Sequence, residues 1–152
     1  MIKRRTFLFN AGAFGAIAGA GLLTPQALWA AAYPTEAFEA DTLDGAMSAL
    51  QVGDAQDSDQ ITLKAPDIAE NGAVVPISVS ADIDNVETIS IVVEGNPNPL
   101  AAQFDVSQGG LPDVSTRIKM GKTSNVVALV KADGKVYRTS KEVKVTIGGC
   151  GG

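Results

Sequence analysis

The sequence predicts an all-β fold, an immunoglobulin-like antiparallel β-sandwich with a short N-terminal helix and a flexible C-terminal arm. Two observations carry that expectation. From Ile61 onward, short runs alternate apolar and polar residues, as in "VVPISVSA" and "EVKVTI". Turn residues also punctuate them every ten residues or so, the spacing of strands in a sandwich. A small open barrel is the alternative architecture. About 120 residues remain beyond an apolar leader, enough for one core and not two.

The leader comes first. "MIKRRTFLFN" holds Lys3, Arg4 and Arg5, and no charge follows until Glu36. Paired arginines followed by a weakly hydrophobic, Gly- and Ala-rich run read as a twin-arginine export signal over residues 1–32. Lys3 and Phe9 stand where that pattern usually has Ser or Thr and Lys. Ala30-Ala31-Ala32 fits an A-x-A cleavage site. The competing reading is an uncleaved anchor, since the run nears the ~20 apolar residues that span a bilayer. Pro25, Gln26 and the glycines weaken it. The expected location is therefore the periplasm, reached in the folded state.

Residues 33–59 read as a helix and a connector. Leu43, Ala46, Met47 and Leu50 recur at helical spacing, and "VGDAQDSDQ" is polar. Asp54, Asp57 and Asp59 lie close together, but the stretch lacks the central glycine and closing glutamate of a calcium loop. A solvated linker is the expectation. Residues 60–147 supply the strands. "QITLKA" is short; "GAVVPISVSA" follows the turn pair Asn71-Gly72, and Pro76 within it argues for an edge strand or a bulge. "VETISIVVEG", "AAQFDVS" and "STRIKM" come next, then a hairpin turning at Asp133-Gly134 and a last strand "EVKVTI", giving seven or eight strands.

Charge and composition exclude several functions. The chain has 12 basic and 17 acidic residues, and three of the basic ones lie in the leader, which holds no acid. Residues 33–152 thus carry 9 basic against 17 acidic residues, a net charge of −8. Nucleic acid and, once the signal is removed, anionic membranes are disfavoured as partners. There is no histidine. The usual general base, the usual metal ligand and any Cys-His or Ser-His-Asp arrangement are absent with it. No cofactor motif is present, and the chain does not read as an enzyme.

What remains is "IGGCGG". Cys150 is the single cysteine of the chain and is flanked by Gly148, Gly149, Gly151 and Gly152. Glycine samples φ of either sign, so residues 148–152 read as a narrow swivelling arm. From Gly148 to Cys150 an extended arm reaches roughly 10 Å. No basic residue adjoins the thiol in sequence, so Cys150 reads as a carrier activated inside its partners and not as a catalyst. Three readings compete: a frayed tail with an incidental cysteine, a disulfide tether, and a swinging arm bearing a covalently attached substrate. A free thiol outside the cytoplasm is an oxidation liability, and a tether needs no glycines. The third reading is favoured.

The terminal "GGCGG" on an exported β-domain resembles the SoxY sulfur-carrier family. So do "APDIAENGAVVPISV" (65–79), "NPNPLAAQF" (96–104), "STRIKMGKTSNVVALVKADGK" (115–135) and "EVKVTIGGCGG" (142–152). The resemblance implies an immunoglobulin-like sandwich paired in a heterodimer with a SoxZ-like subunit. It also implies a carrier of thiosulfate-derived sulfur on Cys150, loaded by a haem-containing enzyme and unloaded by a manganese-dependent hydrolase and other sulfur-oxidising enzymes. A cytoplasmic ubiquitin-like carrier, loaded as a thiocarboxylate on Gly152, and a disulfide-tethered binding subunit are the alternatives.

Overall fold

The computed structural model describes residues 33–106 and 109–146. The expected leader (1–32) and the arm (148–152) lie outside the described residues.

The single helix expected near the N-terminus is two. Helix α1 runs Thr35–Glu39 and α2 runs Leu43–Ala49. Thr42 separates them. Its backbone is extended, and its hydroxyl accepts the Gly45 N–H at 3.1 Å, so it caps a new helix instead of continuing the old one. Asp44 adds a favourable charge in the first turn of α2. Gln51, at φ 57, ends it.

The strands follow in order: β1 (Gln56–Asp57), β2 (Ile61–Lys64), β3 (Ile68–Ala69), β4 (Val75–Ala81), β5 (Val86–Val93), β6 (Leu100–Asp105), β7 (Asp113–Ile118), β8 (Ser124–Ala132) and β9 (Lys135–Val145). They form a large sheet ordered β1-β9-β8-β5-β6, with β3 also on β9, and a small sheet ordered β2-β4-β7. The architecture is the all-β sandwich the sequence predicts. Its long pairs are antiparallel, while the two-residue strands β1 and β3 lie parallel to β9.

Three local expectations resolve differently. The second hairpin arm and the last strand are one strand, β9, whose register with β8 runs without a break from Ala132↔Lys135 to Ser124↔Val143. Nothing between Ser140 and Glu142 breaks a strand, so one continuous ladder results. The connector is exposed, as expected, but it is not a free linker, because Gln56 and Asp57 pair with Tyr137 and Arg138. Pro76 sits on β4, the central strand of the small sheet. Pairing with β2 begins only at Ser78, however, so Pro76 has a strand on the β7 side alone. A residue with no N–H is tolerated at such a local edge. The Asp133-Gly134 turn is as expected: φ values of 49° and 71° at its two residues match the type I′ geometry that suits strand twist.

The main core lies between the sheets. Val75, Ile77 and Val79 of β4 meet Ile89, Ile91, Val126, Val130 and Val143 of the large sheet. A second cluster covers the outer face of the large sheet, where Ala37, Val52 and the partly buried Met47 and Leu50 pack on Val92, Leu100, Val127 and Leu129. Strands β5 and β8 are therefore buried on both faces. That explains why "ISIVV" and "VVALV" are continuous apolar runs where a half-exposed strand would alternate. The helices are a third layer.

Candidate functional site

The described part of the candidate site is the root from which the arm would leave, at the C-terminal end of β9. Both edges of that end are held. On one side Ile68 and Ala69 pair with Lys144 and Val145, the Lys144 N–H donates to the Asp67 carbonyl at 3.0 Å, and the Thr146 N–H donates to the Ala69 carbonyl at 3.1 Å. On the other side β8 has already begun at Ser124, so no backbone partner reaches Val145. The Thr123 hydroxyl takes that place, accepting the Val145 N–H at 2.9 Å and pointing its proton toward the Val145 carbonyl at 3.5 Å. The last described residue, Thr146, is thus still fixed to the sheet.

Three loops brace this end. Gly72 lies so close to the 120–123 segment that its carbonyl accepts the Met120 N–H at 2.7 Å. A Cβ at this position would collide with the Met120 carbonyl oxygen and stand 2.9 Å from Val145 Cγ1. Asn71 makes the local turn, its side chain accepting the Ala73 N–H at 3.0 Å. Asn96 clasps the β7–β8 loop to the β5–β6 loop, donating to the Lys119 carbonyl at 2.7 Å and accepting from the Gly121 N–H at 3.0 Å. Lys141 reaches across to the Ala65 carbonyl at 2.6 Å and pairs with Asp67 at 2.9 Å. That hydrogen bond first, then the Lys141 charge and more weakly that of Lys144, hold the Asp67 carboxyl below its ordinary range. The C-terminal end of β9 is thus braced on both sides through Thr146.

Of the sequence-predicted site residues, Gly148, Gly149, Cys150, Gly151 and Gly152 lie outside the described residues. Asp54, Asp57 and Asp59 form no metal cluster, and none of three or more acidic or sulfur ligands occurs among the described residues. Asp57 instead pairs with Arg138 at 2.8 Å, and that guanidinium lowers its carboxyl pKa. An open groove of about 820 Å³ lies at the opposite end of the sandwich, lined by Asp84, Asn85, Glu87, Gly109 and Asp133 among others. It is remote from the arm root and holds no nucleophile–base pair. Sequence reasoning missed Thr123 and Asn96, which have no periodic signal. It read Gly72 as a turn residue, where the structure shows a steric requirement.

No helix among the described residues is long and apolar enough to cross a membrane. A family model described as "Sulfur oxidation protein SoxY" matches residues 48–150. No curated protein matches the chain. Among solved structures, the sulfur carrier protein SoxY from Chlorobium limicola f thiosulfatophilum is 47% identical, with a TM-score of 0.61 over 70% of this chain and 97% of that one. The human F-spondin reeler domain also aligns, at 10% identity and a TM-score of 0.40, over 60% of this chain and 92% of that one.

Proposed function

The chain belongs to the SoxY family of sulfur carriers that serve sulfur oxidation, and from that premise we propose that Cys150 is the atom-bearing site of the carrier. The observation that supports this most is the extent of the family match, which runs from residue 48 through Cys150 itself. The chain is a carrier subunit whose chemistry is performed by partners. It has no histidine, and its one thiol lies four residues beyond the braced Thr146.

The cycle then runs as follows. A haem-containing partner removes two electrons as the Cys150 thiol and thiosulfate combine. The S–H bond breaks, a bond forms between Sγ and the outer sulfur of thiosulfate, one proton is released, and the electrons pass to the haem acceptor. Water attacks the sulfonate sulfur of this adduct in a manganese-dependent hydrolase. Sulfate and a proton leave, and a persulfide remains on Cys150. The thiolate is the competent nucleophile for S–S bond formation, and a hydroxyl cannot replace it. Gly148, Gly149, Gly151 and Gly152 keep the arm narrow enough to enter each enzyme. Export by the twin-arginine route, cleavage near Ala32 and pairing with a SoxZ-like subunit in the periplasm complete the reading.

The test is intact mass after incubation with thiosulfate, the haem enzyme and an electron acceptor. The wild type gains an adduct that a reductant removes, and Cys150→Ser gains none. An adduct on the serine variant contradicts the proposal.

A further inference from the structure

The edge of a β-sheet is a ready template for another strand, and folded proteins guard it with charges, short strands or covering segments. Most edges here are guarded. The free side of β9 is covered by β1 and β3, each of two residues. Strand β2 has four residues and ends on exposed Lys64. Strand β7 carries exposed Asp113 and Arg117 near its two ends. Strand β6 closes the large sheet beyond β5 with no such charge or cover: "LAAQF" has no charge and no proline before Asp105. A bulge sets Ile91 and Val92 opposite Ala102 and Leu100, so the regular stretch of this edge is 102–106.

Hydrogen-bonded pairs recur at every second residue along an antiparallel ladder. The Val106 N–H donates to the Glu87 carbonyl at 2.8 Å, so Phe104 and Ala102, opposite Ile89 and Ile91, also turn their backbone groups to β5. Gln103 and Asp105 turn theirs outward, and among the described residues nothing bonds to those groups. The side chains divide by face. Ala102, Phe104 and Val106 lie half-buried against the rim of the main core. Gln103 and Asp105 lie on the opposite face, where Gln103 Oε1 accepts the hydroxyl of buried Ser90 at 3.4 Å. The Gln103 Nε2 has no acceptor, and the Asp105 carboxylate no cation or donor, among the described residues.

This edge is its own complement. We propose that a second copy of the chain adds its β6 antiparallel to the first, about a two-fold axis at Phe104. In that register the outward N–H and C=O of Gln103 pair with those of Asp105 of the second copy, and the reverse. Phe104 lies beside its own counterpart, and Ala102 lies opposite Val106, a small residue against a larger one. On the other face each Gln103 Nε2 donates to an Asp105 carboxylate, so the one charge on the edge is met by a donor. Aromatic and hydrogen-bonded cross-strand pairs stabilise antiparallel strands. The pairing consumes the free edge of both copies, so it closes at a dimer. A single strand pair falls short of the ~1,200 Å² that a stable interface buries, so the dimer is weak and forms at high protomer concentration. It stands apart from the carrier reading and uses none of residues 147–152.

The test is sedimentation velocity and amide exchange on the purified protein from about 10 µM to about 1 mM, in a reductant that keeps Cys150 from linking copies. The mean mass should rise toward that of a dimer, and the Gln103 and Asp105 amides should exchange more slowly as it does. Gln103→Glu sets carboxylates against Asp105 of the second copy and should weaken the dimer about fivefold. Gln103→Glu combined with Asp105→Lys turns each clash into an ion pair and should restore wild-type association. A wild type whose mass and amides ignore concentration overturns the proposal. So does a double variant as weak as the single one, or a Gln103→Glu chain that associates like the wild type. Protection of these amides only when a SoxZ-like subunit is added would assign the edge to that subunit and overturn the self-pairing.

Discussion

Gly72→Ala places one methyl group where the structure has no room for it. The new Cβ would overlap the carbonyl oxygen of Met120, a backbone atom that cannot rotate aside, and would press on Val145 Cγ1 at 2.9 Å. The β3–β4 loop must then move away from the 120–123 segment, straining the 2.7 Å hydrogen bond from the Met120 N–H to the Gly72 carbonyl. Overpacking of this kind costs about 1–3 kcal/mol, and a weakened hydrogen bond about 1 kcal/mol more. A loss of about 2–4 kcal/mol follows, which lowers the melting temperature of a domain of this size by roughly 8–16 °C. Urea denaturation of the purified protein reads the free energy, and amide exchange at Val145 and Thr146 reads loosening of the arm root. Gly53→Ala is the control, since nothing lies within 4 Å of its Cβ. A Gly72→Ala protein within about 0.5 kcal/mol of wild type, the range of ordinary surface changes, would refute the reasoning.

Thr123→Val keeps the shape but removes the hydroxyl that holds Val145. It should cost about 1 kcal/mol and raise amide exchange at Val145 selectively. Arg4→Lys with Arg5→Lys should leave unprocessed precursor in the cytoplasm, measured by fractionation and blotting. Gly149→Val should leave the melting temperature unchanged while slowing adduct formation, because a β-branched side chain widens the arm beside the sulfur. Asp57 and Asp67 have carboxyl pKa values depressed below 3.8 by Arg138 and Lys141 in the folded state. Their contribution is therefore fully present above that value and is lost as the pH falls through the lowered folded values. Arg138→Gln should reduce the acid-side loss of stability measured by urea titration between about pH 5 and pH 2.

The sandwich was legible because its strands carry their own punctuation. Asp133-Gly134 needed two residues of positive φ, and the sequence supplies the pair that adopts them most readily. What was not legible depended on contacts between distant segments. No local pattern distinguishes a helix that continues through Ala40–Thr42 from one that Thr42 restarts, because both have the same apolar spacing. Pro76 pointed correctly to a missing strand neighbour, yet β4 is central, since the neighbour is lost only over its first residues. The brace at the arm root uses Thr123, Asn96 and Gly72, which come from three loops and meet only in the folded chain. The residues proposed as an arm, 148–152, lie outside the described residues, and the sequence alone, a lone thiol among glycines, singles them out.

The most direct test of the account is peptide mapping of the protein isolated from its own periplasm during growth on thiosulfate. Mass spectrometry of the C-terminal peptide should find the sulfur adduct on Cys150, released by a reductant, on a chain that begins near Tyr33. An adduct on the Gly152 carboxylate, or a Cys150 found only in disulfide with another protein, would contradict it.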